Sequence, residues 1–308
     1  MTRGGGQAIT FVDDRDKEIL QHIARVGNYR LSPGEVATGI DVHQDFVSSK
    51  HLQKLKGNTI KKGDGIFILS DKEKNSIHLS STEMAIVKPY YTTTQLYRYY
   101  GNPKNELWVI YTDSKVVKHI TDFPHIKAHL DKFASVITSD NRPYGLHRSR
   151  NEKFFLGEKI ISLRKTDRPH FTYTDFPCYV SQTFFVLKPT GINLKYLTAI
   201  LNSSLCHFWL DKKGKKQGEA LQVDKEPLLK IPIYTINTSN PSEKKQHDDL
   251  ASLVSRMLDL HKRLNEVKTP QEKSVLERQI EATDSEINRL VYKLYGLTED
   301  EVRIVEGS

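Results

Sequence analysis

The sequence has little cysteine and no long apolar run. The first argues against a disulfide-rich or zinc-finger protein, and the second against a membrane-spanning one. Only Cys178 and Cys206 are cysteines among 308 residues, and they form no CxxC pattern. We therefore expect neither a disulfide framework nor a zinc finger, and a reducing, cytoplasmic location fits. No run of about eighteen apolar residues occurs, so no membrane span is expected. The first residues, MTRGGGQAITF, lack the apolar centre of a signal peptide.

Signatures of catalysis are also missing. The sequence contains no GxGxxG, P-loop, GxSxG, HExxH or EF-hand pattern. Its twelve histidines are scattered without metal-ligand spacing, so we expect no metal site and no catalytic residue. Glu152 and Glu158, each followed by lysine, could serve a nuclease, but no Pro-Asp strand precedes them. Surface Glu–Lys pairs are the simpler interpretation.

One short segment resembles part of a methyltransferase site. NPKN, residues 102–105, is similar to the start of the NPP(Y/F) loop of adenine methyltransferases. It lacks the second proline and the aromatic residue that would stack on a flipped base. We therefore expect a turn at this position.

Positive charge is what the sequence has in excess. Lysine and arginine number 46 against 38 acidic residues, which gives a net charge of +8 and a pI near 9.2. A basic balance is typical of proteins with a polyanionic partner, either nucleic acid or an acidic membrane face, although many soluble proteins carry as much. The chain is long enough for one large domain or two ordinary ones.

Hydrophobic periodicity predicts a mixed α/β (α+β) body followed by a helical hairpin. Helices are expected over residues 13–26, 81–91 with an end at Pro89, 122–137 and 194–210. Strands are expected within 31–49, 60–70, 106–112, 157–165 and 181–189, with a strand or hairpin at 169–180. We place a DNA recognition domain at residues 1–236 and the hairpin at 237–308.

The C-terminal region has two apolar seams at coiled-coil spacing. Leu250, Leu253, Met257, Leu260, Leu264 and Val267 form the first, and Leu276, Ile280, Thr283, Ile287, Leu290 and Leu294 form the second. Thr269-Pro270 separates them, so the two helices should fold back as an antiparallel coiled-coil hairpin. Its charged outer face suggests a ruler or a docking surface for another domain.

Four basic segments are candidates for contact with DNA. Segment 88–102 supplies Tyr91, Thr93 and Arg98, and segment 141–153 supplies Arg142, His147, Arg148 and Arg150. Segment 162–170 supplies Arg164, Lys165 and Arg168, and segment 212–217 supplies Lys212, Lys213, Lys215, Lys216 and Gln217. The lysines and Arg164 would contact phosphates, while the arginine-rich loop and Gln217 would read base edges. For the tyrosines, a place at the edge of the core is an equally good interpretation.

An ordered set of segments resembles a known family between about residues 31 and 306. LKYLTAILNSSLCHFWL, a Gly/Lys loop and LLKIPI are similar to the YL…LNS…IPI passage of restriction–modification specificity domains. DFPHIKAHLDKF, KPYYTTTQLYRYY and GEKIISLRK…YVSQTFFVLKP resemble passages of the TaqI-like C-terminal specificity domain. The ending EINRLVYKLYGLTEDEVRIVE resembles the helix that closes many of these proteins.

The resemblance implies a target recognition domain that binds double-stranded DNA. Its family usually belongs to N6-adenine DNA methyltransferases, often fused with a nuclease in single-chain type II enzymes. The catalytic domain or subunit would be the partner, with S-adenosylmethionine, and magnesium where a nuclease is attached, bound in that parent enzyme. The chain would then be a fragment or a separate subunit without catalysis of its own. Alternatives are half of a type I specificity subunit, an overlooked nuclease, and an assembly module with incidental basic loops.

Overall fold

The computed structural model describes residues 13–55, 59–217, 220–237 and 239–307, which divide into two units by their internal contacts. The sheet unit comprises residues 34–163 and 172–188. The helical unit comprises the described parts of residues 1–33, 164–171 and 189–308. The hairpin therefore shares a unit with earlier helices, whereas the sequence suggested a boundary after residue 236.

The helices are α1 (Asp14–Val26), α2 (Ser49–Leu52), α3 (Asp71–Ser76), α4 (Ser81–Met84), α5 (Ser114–Lys118), α6 (Pro124–Asp131), α7 (Leu194–Asn202), α8 (Ser204–Lys213), α9 (Lys225–Leu229), α10 (Pro241–Glu266), α11 (Pro270–Tyr295) and α12 (Glu299–Glu306). None of these helices has an apolar stretch long enough to cross a bilayer.

The strands are β1 (Val36–Thr38), β2 (Ile68–Ser70), β3 (Val87–Tyr91), β4 (Tyr99–Tyr100), β5 (Leu107–Ile110), β6 (Lys159–Leu163), β7 (Lys165–Thr166), β8 (Phe171–Thr174), β9 (Tyr179–Val180), β10 (Phe184–Leu187), β11 (Lys215–Gln217) and β12 (Ala220–Gln222). They form a five-stranded sheet in the order β1-β10-β6-β8-β4, a four-stranded sheet in the order β2-β5-β3-β9, and a three-stranded sheet in the order β11-β12-β7. With the C-terminal hairpin, these sheets confirm the predicted mixed α/β class.

The strand pairs of the sheet unit are set by apolar residues distant in sequence. Val186 of β10 lies opposite Ile161 of β6 and Ala37 of β1, in antiparallel pairs. Residues 169–180, expected to form a strand or a hairpin, contain strands β8 and β9, which pair in parallel with β4 and β3 and belong to different sheets. Every residue of β8 and β9 is buried, so both faces of each strand are covered. Burial on both faces explains why the two strands lie in different sheets.

Pro89 does not end a helix as expected. Helix α4 ends at Met84, and Pro89 lies within strand β3 opposite Trp108. On the other flank, β9 pairs only with Tyr90 and Tyr91. Proline cannot donate a backbone hydrogen bond, and it is tolerated here because one flank of the strand has no ladder partner at that residue.

The predicted helix over 194–210 is two helices joined at Ser203. The side chain of Ser203 accepts a hydrogen bond from the amide of Cys206 at 3.2 Å, and its hydroxyl donates to the carbonyl of Ile200 at 2.6 Å. Ser203 therefore caps the start of α8 and satisfies the end of α7. The second helix continues through Lys212 and Lys213, so these lysines extend α8 rather than begin a loop.

The C-terminal helices pack as the predicted hairpin. Leu250, Met257 and Leu260 of α10 are buried, as are Leu276 and Ile287 of α11. Thr283, the polar seam residue, is 2% exposed and donates its hydroxyl to the carbonyl of Gln279 at 2.7 Å. Val254 and Val291 are buried where the seam predicted Leu253 and Leu290. The buried face is shifted because α10 also packs against α7.

Within the sheet unit, the carboxylate of Glu83 joins the starts of two helices. It belongs to a capping box with Ser80 at the start of α4. It also accepts hydrogen bonds from the amides of His125 and Ile126, at 2.7 and 3.0 Å, in the first turn of α6. Its burial raises the pKa, but hydrogen bonds from the amides of Ser80 and Ile126, the His125 ring and the Ser80 hydroxyl outweigh that effect and lower the pKa to about 2.

Replacement of Glu83 by glutamine should destabilise the protein by about 1–3 kcal/mol at neutral pH, since a buried charged acceptor is lost. The folded pKa lies below the ordinary value of 4.5, so the contribution is complete above pH 4.5 and is lost as the pH falls towards 2. Urea unfolding at several pH values should show that the difference in free energy of unfolding between wild type and Glu83→Gln becomes smaller below pH 4.5. The control is Glu106→Gln, a substitution at an exposed residue. A stability difference between Glu83→Gln and wild type that does not change with pH would contradict the lowered pKa of Glu83.

Candidate nucleic-acid interface

We call residues 138–150 of the sheet unit the arginine loop. Its beginning is held by Gln44, which is 8% exposed. The Gln44 side chain accepts a hydrogen bond from the amide of Thr138 at 3.1 Å and donates to the Thr138 hydroxyl at 2.7 Å. The loop therefore starts from a fixed point on the preceding β1–α2 connection.

Side chains inside the arginine loop bind its own backbone. The hydroxyl of Ser139 donates to the carbonyl of Gly145 at 2.5 Å, and the amide side chain of Asn141 donates to the carbonyl of Leu146 at 2.8 Å. Leu146 is fully buried, and its amide donates to the carbonyl of Thr112 at 3.1 Å. These bonds satisfy backbone groups that water would otherwise satisfy, so the loop has a defined shape.

A two-bond bridge holds the end of the loop. The amide of Asp41 donates to the carbonyl of Arg148, and the amide of Arg148 donates to the carbonyl of Asp41, both at 3.0 Å. The hydroxyl of Tyr111 donates to the carbonyls of Ser149 and Arg150, at 3.1 and 3.0 Å. Arg148 and its neighbours are thus anchored through the main chain, which leaves the side chain of Arg148 available.

The loop has three exposed arginines, and two of them have no side-chain partner among the described residues. Arg142 and Arg148 are exposed, and neither has a side-chain hydrogen bond or ion pair within the described ranges. Arg150 differs, because its Nε donates to the carbonyl of Gly39 at 3.2 Å. Burial, with the charge of Arg148 beside it, lowers the pKa of Arg150. His147 is half-buried and stacks on His43.

The three-stranded sheet of the helical unit brings together two of the predicted basic segments. Gln222 of β12 pairs with Lys215 of β11 on one side and with Lys165 of β7 on the other. Lys165 is exposed. Lys215, Lys216 and Gln217 lie in β11 rather than in a loop, and their side chains fall outside what the structure describes. We call this sheet, with the end of α8, the basic sheet.

Three of the cations expected to contact DNA have acidic partners in the helical unit. Arg164 lies 3.1 Å from Asp224, Arg168 lies 3.6 Å from Asp284, and Lys212 lies 2.9 Å from Asp16. These ion pairs link segments within this unit and leave the three cations less charge to offer to phosphate, so their contact with DNA stays a prediction.

Lys213 differs from its neighbour Lys212. It is exposed, with no side-chain partner among the residues that the structure describes. With Lys165, it is a candidate for the phosphate contacts of the basic sheet.

Tyr91 is removed from the candidate interface. It is 2% exposed, and its hydroxyl donates to the carbonyl of Pro103 at 2.7 Å. Burial raises its pKa, and the side chain belongs to the core. The NPKN segment is a turn, closed by a 3.0 Å bond from the amide of Lys104 to the Asn102 side chain.

Two other residues of the tyrosine-rich segment stay near the surface. Thr93 is exposed, and the guanidinium of half-buried Arg98 lies 4.7 Å from the ring centroid of Tyr99. They remain candidates for contact, although Arg98 already has an aromatic neighbour.

The carboxylates of the nuclease alternative are engaged with tyrosines. Glu152 accepts a 2.5 Å hydrogen bond from Tyr179 and lies 2.9 Å from the Lys88 ammonium. Glu158 accepts from Tyr173 at 2.6 Å. Within the described residues, neither belongs to a group of three side chains able to share a metal ion. Their placement gives the nuclease alternative no support.

The structure brings together one group that sequence patterns missed. Asp41, His43 and His147 place one ligand atom each within 4.8 Å of one another. Asp41 and His43 also line an open cavity of about 960 Å³, with the side chain of Phe46 on its wall. No local spacing could reveal this group, because His147 joins it from a distant part of the chain.

Comparisons with known proteins agree with the fold and the segments described. Residues 88–233, which include the arginine loop and the basic sheet, match the model of the TaqI-like C-terminal specificity domain. Two type II methyltransferases of Haemophilus influenzae, M.HincII and M.HindII, are each 32% identical over 113 residues. That match covers 36% of this chain and 22% of either relative's length.

A solved structure has a similar fold. The type IIL restriction-modification enzyme MmeI, determined in complex with DNA, superposes with a TM-score of 0.57 at 12% identity. The superposition covers 87% of this chain and 34% of that enzyme. At this identity the likeness concerns the fold alone.

The packing around Gly145 predicts that the shape of the arginine loop depends on this glycine. A Cβ atom there would lie 2.5 Å from Cβ of Asn141 and 2.7 Å from a methyl carbon of Val117. Gly145→Ala should therefore cost about 1–3 kcal/mol of stability, measured by chemical denaturation. Gly34→Ala is the matched control, since nothing lies within 4 Å of its added carbon. Equal stability of the two variants would contradict this prediction.

Proposed function

Since residues 88–233 belong to the TaqI-like C-terminal specificity domain family, we propose that this chain recognises a specific sequence in double-stranded DNA. In this proposal it is the specificity portion of a restriction–modification methyltransferase. The fold likeness to a restriction-modification enzyme supports the same assignment.

The observation that carries the proposal is the placement of Arg142 and Arg148. Both guanidinium groups are exposed without partners among the described residues, on a loop that hydrogen bonds hold at both ends. An arginine can donate two hydrogen bonds to O6 and N7 of guanine in the major groove, and fixed placement makes that readout selective.

The basic sheet would supply affinity that does not depend on sequence. Lys165 and Lys213 are exposed cations, and the backbone register puts Lys215 in line with Lys165 across β12. Contacts to phosphates fix a protein on the duplex without reading bases. The proposal therefore assigns phosphate contact to this sheet and base readout to the arginine loop.

The parent enzyme in this proposal methylates adenine, and its catalytic part binds S-adenosylmethionine. The two H. influenzae relatives are methyltransferases by name, and the matched segment spans 22% of their length. A nuclease with magnesium would belong to the same parent where one is attached. Transfer of labelled methyl groups by the parent enzyme to cytosine instead of adenine would overturn the choice of base.

Replacing Lys165 and Lys213 together by alanine should weaken binding to all duplexes alike. Each lost phosphate contact lowers the slope of log affinity against log salt by about 0.9, so the double variant should lose about 2 units. Fluorescence anisotropy with random-sequence duplex DNA at several salt concentrations measures this slope. Lys212 is left unchanged because it pairs with Asp16.

The matched control replaces Lys262 and Lys268, two exposed lysines of the hairpin, by alanine. It removes the same charge away from the basic sheet and should leave the slope unchanged. Equal slopes for the two double variants would show that net charge alone, rather than this sheet, attracts DNA.

Arg142→Ala and Arg148→Ala should each relax selectivity at one base pair. Loss of a bidentate contact costs about 1–3 kcal/mol for the preferred duplex and little for random DNA. Selection of bound duplexes from a random pool gives the preferred sequence for the wild type and for each variant. Arg256→Ala, an exposed arginine of α10, is the control. An identical preferred sequence in both loop variants would contradict base readout by the loop.

The same measurements separate the alternatives. An assembly module would show no salt-dependent binding to random duplex DNA, and a nuclease would cleave DNA when magnesium or manganese is added. Half of a type I specificity subunit would bind DNA selectively as well, but its catalytic partner would be a separate chain.

A further inference from the structure

Three side chains near the end of the arginine loop have the composition of a transition-metal site. Asp41 and His43 follow strand β1, and His147 comes from the loop, all within the sheet unit. One ligand atom from each lies within 4.8 Å of the other two. Imidazole and carboxylate ligands together suit zinc, nickel, cobalt or copper better than magnesium or calcium.

The backbone fixes the two segments that supply these ligands. The Asp41–Arg148 bridge, with two bonds of 3.0 Å, places His147 immediately beside the segment of Asp41. His43 has φ of +68°, in the left-handed region, which is unusual for a residue other than glycine. Its ring lies over that of His147, with centroids 3.8 Å apart and planes 15° from parallel. Residues with such backbone conformations cluster at functional sites, where the surrounding structure holds the main chain.

Two further side chains orient the ligands as in known metal sites. Nδ1 of His147 lies 3.4 Å from both the amide nitrogen and a carboxylate oxygen of Asp140, so Nε2 is the ring nitrogen left for an ion. Gln182 donates a 3.1 Å hydrogen bond to the carboxylate of Asp41. Metal-binding histidines commonly hold their second nitrogen against a carboxylate, and their carboxylate neighbours are hydrogen-bonded in turn.

Access to the group is open, and one ligand can move. His43 is exposed, and Asp41 and His43 lie on the wall of the 960 Å³ cavity. An ion lies in the plane of each imidazole that binds it, so the stacked rings must turn out of their present parallel arrangement. Rotation of the exposed His43 ring about its Cβ–Cγ bond achieves this without movement of the bridged backbone.

We propose that Asp41, His43 and His147 bind one divalent transition-metal ion, such as zinc, with water in the remaining positions. The ion crosslinks the arginine loop to the segment after β1, next to Arg148. The metal site does not depend on the proposed function. The bound ion would also restrict the movement of Arg148, and this affects DNA binding only if the proposed function is correct.

Isothermal titration of the tag-free, chelator-treated chain with zinc chloride tests the site directly. The wild type should bind one ion, and His43→Ala and Asp41→Asn should each weaken binding at least about tenfold. His78→Ala is the matched control, because His78 is an exposed histidine that also has a positive φ, of 56°. Affinity equal to wild type in His43→Ala, or the same loss in His78→Ala, would overturn the site.

A second measurement identifies the ligand atoms directly instead of the affinity. Copper(II) bound to the wild-type chain should show hyperfine coupling to two imidazole nitrogens in its electron paramagnetic resonance spectrum, and to one in His43→Ala. Coupling unchanged by His43→Ala would overturn the proposal. Both measurements omit DNA, so a chain that binds zinc but no duplex would contradict the proposed function and leave the metal site intact.

Discussion

The pair of hydrogen bonds between Asp41 and Arg148 fixes the end of the arginine loop to the segment that follows strand β1. Each residue donates its amide to the other's carbonyl at 3.0 Å, so the end of the loop is paired like a strand although it belongs to no sheet. Electrostatic attraction to DNA works from almost any arrangement of charge. Readout of base edges needs donors in fixed places, and a main-chain anchor leaves the arginine side chain free for that purpose.

Acidic neighbours, more than the number of basic residues, decide which cations the protein can offer. Asp16, Asp224 and Asp284 pair with three of the cations that the sequence suggested for contact with DNA. Lysines can also serve the backbone. The ammonium of buried Lys159 donates to the carbonyls of Gly157 and Phe176 at 2.9 and 2.6 Å, and burial lowers its pKa to about 8. A net charge of +8 therefore says little about where a polyanion would bind.

The elements that could be predicted are those specified by local residues. The period of apolar residues located α1 and the hairpin, and Thr298 and Glu301 form a capping box, itself a local pattern, at the start of the last helix. The errors arose where distant partners decide the conformation. Pro89 lies in strand β3 because β5 pairs with that strand. Lys215 and Lys216 lie in strand β11 because β12 pairs with it. Ser203 is an exception, since a serine within an apolar helix could have been read as a cap.

The candidate site likewise has features that the sequence predicts and features that depend on distant residues. Exposed arginines in a segment rich in proline and glycine are visible in the sequence, and Arg142 and Arg148 are placed as that composition suggests. The partners that position them are not visible, because Gln44, Asp41 and Tyr111 are ordinary residues until the fold brings them to the loop. His43 shows the limit most clearly. Its positive φ and its stacking on His147 depend on the pairing of two distant segments, so neither histidine spacing nor composition could assign the group. A search for metal sites in such loops has to begin from backbone pairing, since pairing decides which side chains become neighbours.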